Sequence, residues 1–153
     1  MPFKFSLETL LNHRRRQEEM VLPQLTRAQE AIQTEEMILH RLNSLARWGE
    51  QELAQHQAEG KTGWELAIFH DFLSRVRAER RRSEERLALA HQELATVRAE
   101  LLEKRKGRRI VEVLKEKSWQ FYQAEMARKE QRELDEVAAV QYQRHQGASD
   151  GHS

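Results

Sequence analysis

The sequence predicts an all-α fold, two long helices closed into an antiparallel coiled-coil hairpin with the second helix longer than the first. Three observations predict it. Glu, Gln, Arg, Leu and Ala dominate a 153-residue chain that is 33% charged and holds two prolines, the composition of long helices. Its apolar residues recur at alternating steps of three and four, the spacing of a coiled-coil seam. One glycine-bearing turn signal separates two such seams. Disorder, the rival for so polar a chain, lacks that period and usually carries net charge; here 26 basic residues almost cancel 25 acidic ones.

The first helix is expected over about 6–58. Ser6, just before Leu7, can accept a hydrogen bond from a first-turn amide. From Leu7 the seam runs through Leu11, Arg14, Glu18, Val21, Leu25, Ala28, Ile32, Glu35, Leu39, Leu42, Ala46, Gly49 and Leu53, and ten of these fourteen positions are apolar. Pro23 interrupts it. A proline inside a helix removes one backbone bond and disfavours the helix by about 3 kcal/mol. A kink near Met20–Pro23 is expected, with a short break as the alternative, because the seam resumes in register at Leu25.

Glu59-Gly60-Lys61-Thr62-Gly63 is the turn, about 59–63, with glycines able to take positive φ. Thr62 or Gly63 then caps a second helix over about 64–145. Its seam reads Leu66, Phe69, Leu73, Val76, Arg80, Ser83, Leu87, Ala90, Leu94, Val97 and Leu101, nine of eleven apolar. A turn that short returns the chain antiparallel, so facing residues carry numbers summing to about 122. Leu25 should lie near Val97, Leu42 near Arg80 and Leu7 near Lys115. At 1.5 Å per residue the paired part should be roughly 75 Å long, and the overhang roughly 45 Å more.

Beyond about Lys115 the second helix has no expected partner, yet carries Trp119, Phe121, Tyr122, Met126, Val137 and Val140. Exposed apolar side chains of this kind invite another chain. The hairpin is expected to occupy 1–145, and the Gly, Ala, Ser, Asp and His residues of 146–153 a disordered tail.

Catalytic and cofactor patterns fail one by one. Gly60-Lys61-Thr62 resembles the end of a phosphate loop, but the required earlier glycine is Gln55. None of the seven histidines has an acidic residue three positions before it, as a bundle di-iron site requires. No Gly-x-Ser-x-Gly element occurs, and the carboxylates stand among arginines. No enzyme activity, cofactor or metal is expected. The absence of cysteine fits a reducing cytoplasm. No apolar run approaches the roughly 20 residues that span a bilayer, so a soluble cytoplasmic protein is expected.

Two basic runs and two aromatic clusters remain. Arg80–Arg82 is flanked by Glu79, Glu84 and Glu85 and reads as a solvated face. Lys104–Arg109 is denser and holds Gly107, a weak point in a helix. A net charge of +1 gives no global pull toward nucleic acid. Trp48, Trp64, Phe69 and Phe72 gather near the turn, and Trp119, Phe121 and Tyr122 in the overhang. Phe72 falls beside the seam, and a docking role is expected for it.

Phe3-Lys4-Phe5-Ser6-Leu7-Glu8-Thr9-Leu10-Leu11, followed by Arg14-Arg15-Arg16-Gln17-Glu18-Glu19, resembles the start of FliJ-family proteins of the flagellar type III export apparatus. The ending, Tyr122, Glu125, Lys129-Glu130-Gln131 and Leu134-Asp135-Glu136, resembles theirs too. The resemblance implies a non-enzymatic stalk like the rotor shaft of F-type ATPases. The end bearing both termini would enter the hexameric export ATPase, with Arg14, Arg15, Arg16, Trp119, Phe121, Tyr122 and Arg128 as ring contacts. The family's docking positions for the cytosolic domain of the membrane export gate fall on Leu42, Leu45, Phe72 and Val76. Export chaperones would be further partners, nucleic acid would not, and the membrane at the flagellar base would be reached only through partners. Glu79, Ser83 and Pro23 depart from the family pattern. Two alternatives are a scaffold or export chaperone binding a partner helix through the overhang, and a basic coiled coil binding nucleic acid through Lys104–Arg109.

Overall fold

A computed structural model describes residues 2–150. Two helices, α1 (Glu8–Ala58) and α2 (Gly63–Asp150), pack against each other as an antiparallel hairpin, and no strand occurs among the described residues. Their contacts group into two compact units. One is turn-bearing and comprises residues 16–105; the other is terminus-bearing and comprises the residues up to 15 and from 106 onward.

In the turn-bearing unit α1 ends in an αL cap. Gly60 takes φ +72°, a conformation that L side chains resist. Its N–H donates to Gln57 O at 3.1 Å, and Lys61 N–H donates to His56 O at 3.2 Å. These two bonds satisfy carbonyls that the end of a helix otherwise leaves open. Leu66 N–H donates to Thr62 O at 3.2 Å, so Thr62, not Gly63, is the residue that caps α2.

The seam of this unit follows the expected antiparallel register. Val21 clusters with Val97 and Leu101, with Leu25 packed against them. Ala28 and Ile32 cluster with Leu94. Fully burying a Val, Leu or Ile side chain contributes about 1.5–3 kcal/mol, so these layers dominate the stability of the unit. Between them and the turn the seam turns polar. Ser83 is fully buried, and its Oγ donates to Glu35 Oε2 at 3.2 Å. Arg86 Nε donates to Glu35 Oε1 at 3.1 Å. The half-buried Glu35 carboxylate is thus partnered, and a polar seam position of this kind specifies register.

Pro23 sits inside an unbroken α1, so the alternative of a short break is ruled out. Pro23 and Glu19 are both exposed. The Glu19 carbonyl that loses its N–H partner therefore belongs to a solvated stretch, while Val21 on the seam stays buried.

In the terminus-bearing unit α1 begins at Glu8, whose N–H donates to Phe5 O at 3.1 Å. The α2 seam runs on past Leu101 through Arg108, Val111, Lys115, Ser118, Tyr122 and Glu125, all buried or half-buried. Lys115 Nζ meets Glu8 Oε2 at 2.8 Å, and Arg15 approaches Glu112 at 4.0 Å. The Arg14 side chain lies over Gly107. From 127 to 149 every residue of α2 is exposed. The helix passes the expected end near 145 and continues through Gly147. Once a helix is nucleated, each added residue brings one further backbone bond. Residues 151–153 of the expected tail lie outside the described residues.

Candidate functional site

The turn-bearing unit carries an apolar patch beside its seam. Leu42 and Phe72 are half-buried, and Leu45 is exposed. Trp48, 49% exposed, stands edge-on to Phe72 with ring centroids 5.6 Å apart, a geometry that rings favour. Val76 does not join this surface. It is 7% exposed, because its three-residue step from Leu73 puts it on the seam, where it packs the hairpin. The patch that a partner can touch is therefore Leu45, Trp48 and Phe72, with Leu42 behind. Sequence reasoning grouped Trp48 with the aromatics near the turn but left it out of the docking positions; its number and that of Phe72 sum close to the register value, which was the available signal for pairing them. Nearer the turn, His56 stacks on Phe69 at 4.6 Å, with Glu52 at 3.5 Å and Glu59 at 3.9 Å from its ring nitrogens.

The terminus-bearing unit carries an aromatic cluster. Phe3 meets Trp119 at 5.1 Å and Tyr122 at 5.4 Å, and those two rings stack at 5.7 Å. The expectation that α2 has no partner beyond Lys115 is thus corrected. Phe3, before α1, covers the next two turns of α2, because packing against the two rings takes apolar surface out of water. Pro2, Phe3 and Lys4 line a hollow with Ser118, Phe121, Tyr122 and Glu125. Phe121 is 67% exposed.

The basic residues of the expected ring contact divide. Arg14 is half-buried over Gly107, and Arg15 is exposed beside Glu112. Arg16 is exposed but belongs to the turn-bearing unit. Arg128 Nη1 donates to Glu125 Oε1 at 2.7 Å.

Within the basic run of α2, Glu112 gathers cations. Arg108 Nη1 donates to its Oε1 at 2.8 Å, and Arg109 lies 3.6 Å from its Oε2. The hydrogen bond from Arg108 is the main cause holding the Glu112 carboxyl below its usual value, with Arg109 and Arg15 adding to it and burial opposing. Arg105, in the turn-bearing unit, donates to Glu18 at 3.3 Å. Arg105 of this run thus bridges the two helices, whereas Arg108 and Arg109 pair along α2 itself. Among the described residues no group of three or more His, Asp or Glu side chains could hold a metal ion, and no helix is long and apolar enough to cross a membrane.

A helical hairpin with apolar and aromatic patches on its surface defines the class, a coiled-coil-like helical protein. Residues 3–147 match the family model described as flagellar FliJ protein, and the chain belongs to the FliJ family. That membership makes it an export-associated component of the type III apparatus, in a family of non-enzymatic parts. The fold is similar to a solved structure described as a YscO homologue from Chlamydia trachomatis, with a TM-score of 0.71 and 19% identity over 95% of this chain and 98% of that one. No curated protein matches the sequence.

Proposed function

We propose that this chain is the stalk of the flagellar export ATPase. Its terminus-bearing unit enters the ATPase ring and promotes assembly, while the patch at Leu45, Trp48 and Phe72 docks on the cytosolic domain of the membrane export gate. Export chaperones are further cytoplasmic partners, and the inner membrane is reached through the gate alone. The observation that carries the reading is the cluster of Phe3, Trp119 and Tyr122 with Phe121 exposed beside it, on a chain of this family. Large aromatic side chains at a surface are the usual anchors of protein interfaces. A shaft needs stiffness and two distinguishable contact surfaces, and the two units supply different chemistry, apolar near the turn and mixed aromatic and basic near the termini.

The test is ATP hydrolysis by a hexameric export ATPase with the full chain and with a chain cut after Lys117. The full chain stimulates and the truncated one does not. Equal stimulation by both would refute the assignment of the terminus-bearing unit to the ring.

A further inference from the structure

The three aromatic side chains of α2 proposed to meet the ATPase ring do not stand on one open face. By helix geometry Trp119 lies about 60° to one side of Tyr122, and Phe121 about 100° to the other. Tyr122 is the middle of that face, and the middle is covered. Phe3 packs on Trp119 at 5.1 Å and on Tyr122 at 5.4 Å. On the other flank Pro2, Phe3 and Lys4 line a hollow with Phe121, Tyr122 and Ser118. Tyr122 is half-buried, whereas Trp119 is 42% and Phe121 67% exposed. The covering segment, residues 2–5, lies outside any helix, since α1 begins only at Glu8. α2 carries its seam on through Ser118, Tyr122 and Glu125, and the segment fills the place along it that α1 leaves.

We infer that residues 2–5 form an autoinhibitory strap, which must leave α2 before one partner surface can touch Trp119, Tyr122 and Phe121 together. This role presupposes that the unit enters the ring, as proposed above, and regulates that entry. A surface that meets Trp119 and Phe121 at once spans about 160° of the helix and crosses Tyr122 on the way. Phe3 already holds that position, and the same ring faces cannot serve both. A contact made in the free chain and lost in the complex lowers the apparent affinity by the fraction of chains that are open. Two aromatic contacts hold the strap, each of modest strength. About one chain in ten is then open, few enough to inhibit and enough to let a partner displace the strap. The bond from Glu8 N–H to Phe5 O stays at the start of α1, so residues 2–4 swing about it without disturbing the helix.

The chain has no cysteine, so the strap can be locked at will. Lys4 and Ser118 line the same hollow and are not among the proposed ring contacts. In the full chain carrying Lys4→Cys with Ser118→Cys, a short reducible bismaleimide joins the two positions. Its halves stay on the thiols after reduction, so the joined and reduced chains carry the same bulk. The readout is the concentration of chain that gives half-maximal stimulation of a hexameric export ATPase. The joined chain needs about tenfold more than the reduced one, or fails to stimulate. Phe3→Ala, which loosens the strap, needs about threefold less than the wild type or lower still. Equal concentrations for the joined and reduced chains, or an equal or higher one for Phe3→Ala than for the wild type, overturn the strap. Stimulation by the wild type upholds the ring assignment even then. No stimulation by the wild type overturns both.

Discussion

Gly49 of α1 and Leu73 of α2 approach so closely that a Cβ on Gly49 would fall 2.8 Å from Leu73 Cδ2 and 3.0 Å from Phe72 Cε1. Leu73 is 2% exposed and has little room to retreat. The glycine weakens α1 locally but lets Leu73 seat and sets the position of Phe72. Gly49→Val therefore destabilises the hairpin by about 1–3 kcal/mol through overpacking, which outweighs the few tenths gained in helix propensity. Urea unfolding followed by circular dichroism checks this; an unchanged midpoint would mean that the two side chains move aside freely.

Gly107 gives the opposite result. A Cβ there would stand 3.5 Å from Arg14 Nη1, an ordinary van der Waals distance, and the residue lies inside α2. Gly107→Ala raises stability by up to about 1 kcal/mol, since alanine is the better helix former. A lower urea midpoint for this variant would show that Arg14 is held more tightly over the glycine than the distance implies.

These two glycines mark the boundary of what the sequence made legible. Period and turn chemistry identified both helices, the turn over about 59–63 and the antiparallel register, because each rests on local spacing. The contact of Phe3 with Trp119 and Tyr122 was hidden, since a short segment outside any helix has no period to read. The seam beyond Leu101 was hidden for a different reason. Apart from Val111 and Tyr122 its residues are Arg108, Lys115, Ser118 and Glu125, which pack through long stems or small size and break the apolar period. Val76 was placed on the seam by spacing and on the gate surface by resemblance; the spacing was the sounder guide to its burial. Phe72 beside the seam, half-buried against Trp48, is where spacing and resemblance agree.

Phe3→Ala removes the ring that touches both Trp119 and Tyr122. Aromatic pairs of this kind contribute about 0.5–1.5 kcal/mol beyond area burial. In a chain where Trp48 and Trp64 are replaced by Phe, the emission of Trp119 shifts to longer wavelength on Phe3→Ala as water reaches its ring. An unmoved emission maximum would place residues 2–5 away from α2 in solution.

Acid weakens the terminus-bearing unit through Glu112. Its carboxyl is held below the ordinary value of 4.5, chiefly by the hydrogen bond from Arg108. A depressed native pKa means that the unfolded chain binds the proton first as pH falls. The stabilisation is complete above the unfolded value and is lost as pH drops through the native one. The gap in urea midpoint between the wild type and Glu112→Gln is therefore largest near neutral pH and closes below about pH 4.5. A gap independent of pH would remove the ion cluster as its cause.

The register that brings α2 back along α1 underlies every surface described, and the absence of cysteine makes it directly measurable. Leu25→Cys with Val97→Cys, treated with a short bifunctional thiol reagent, should give a crosslinked monomer rapidly. Leu25→Cys with Leu87→Cys, about 15 Å further along α2 by helix rise, should not. Equal yields from the two pairs, or crosslinks found only between molecules, would contradict the hairpin and with it the stalk.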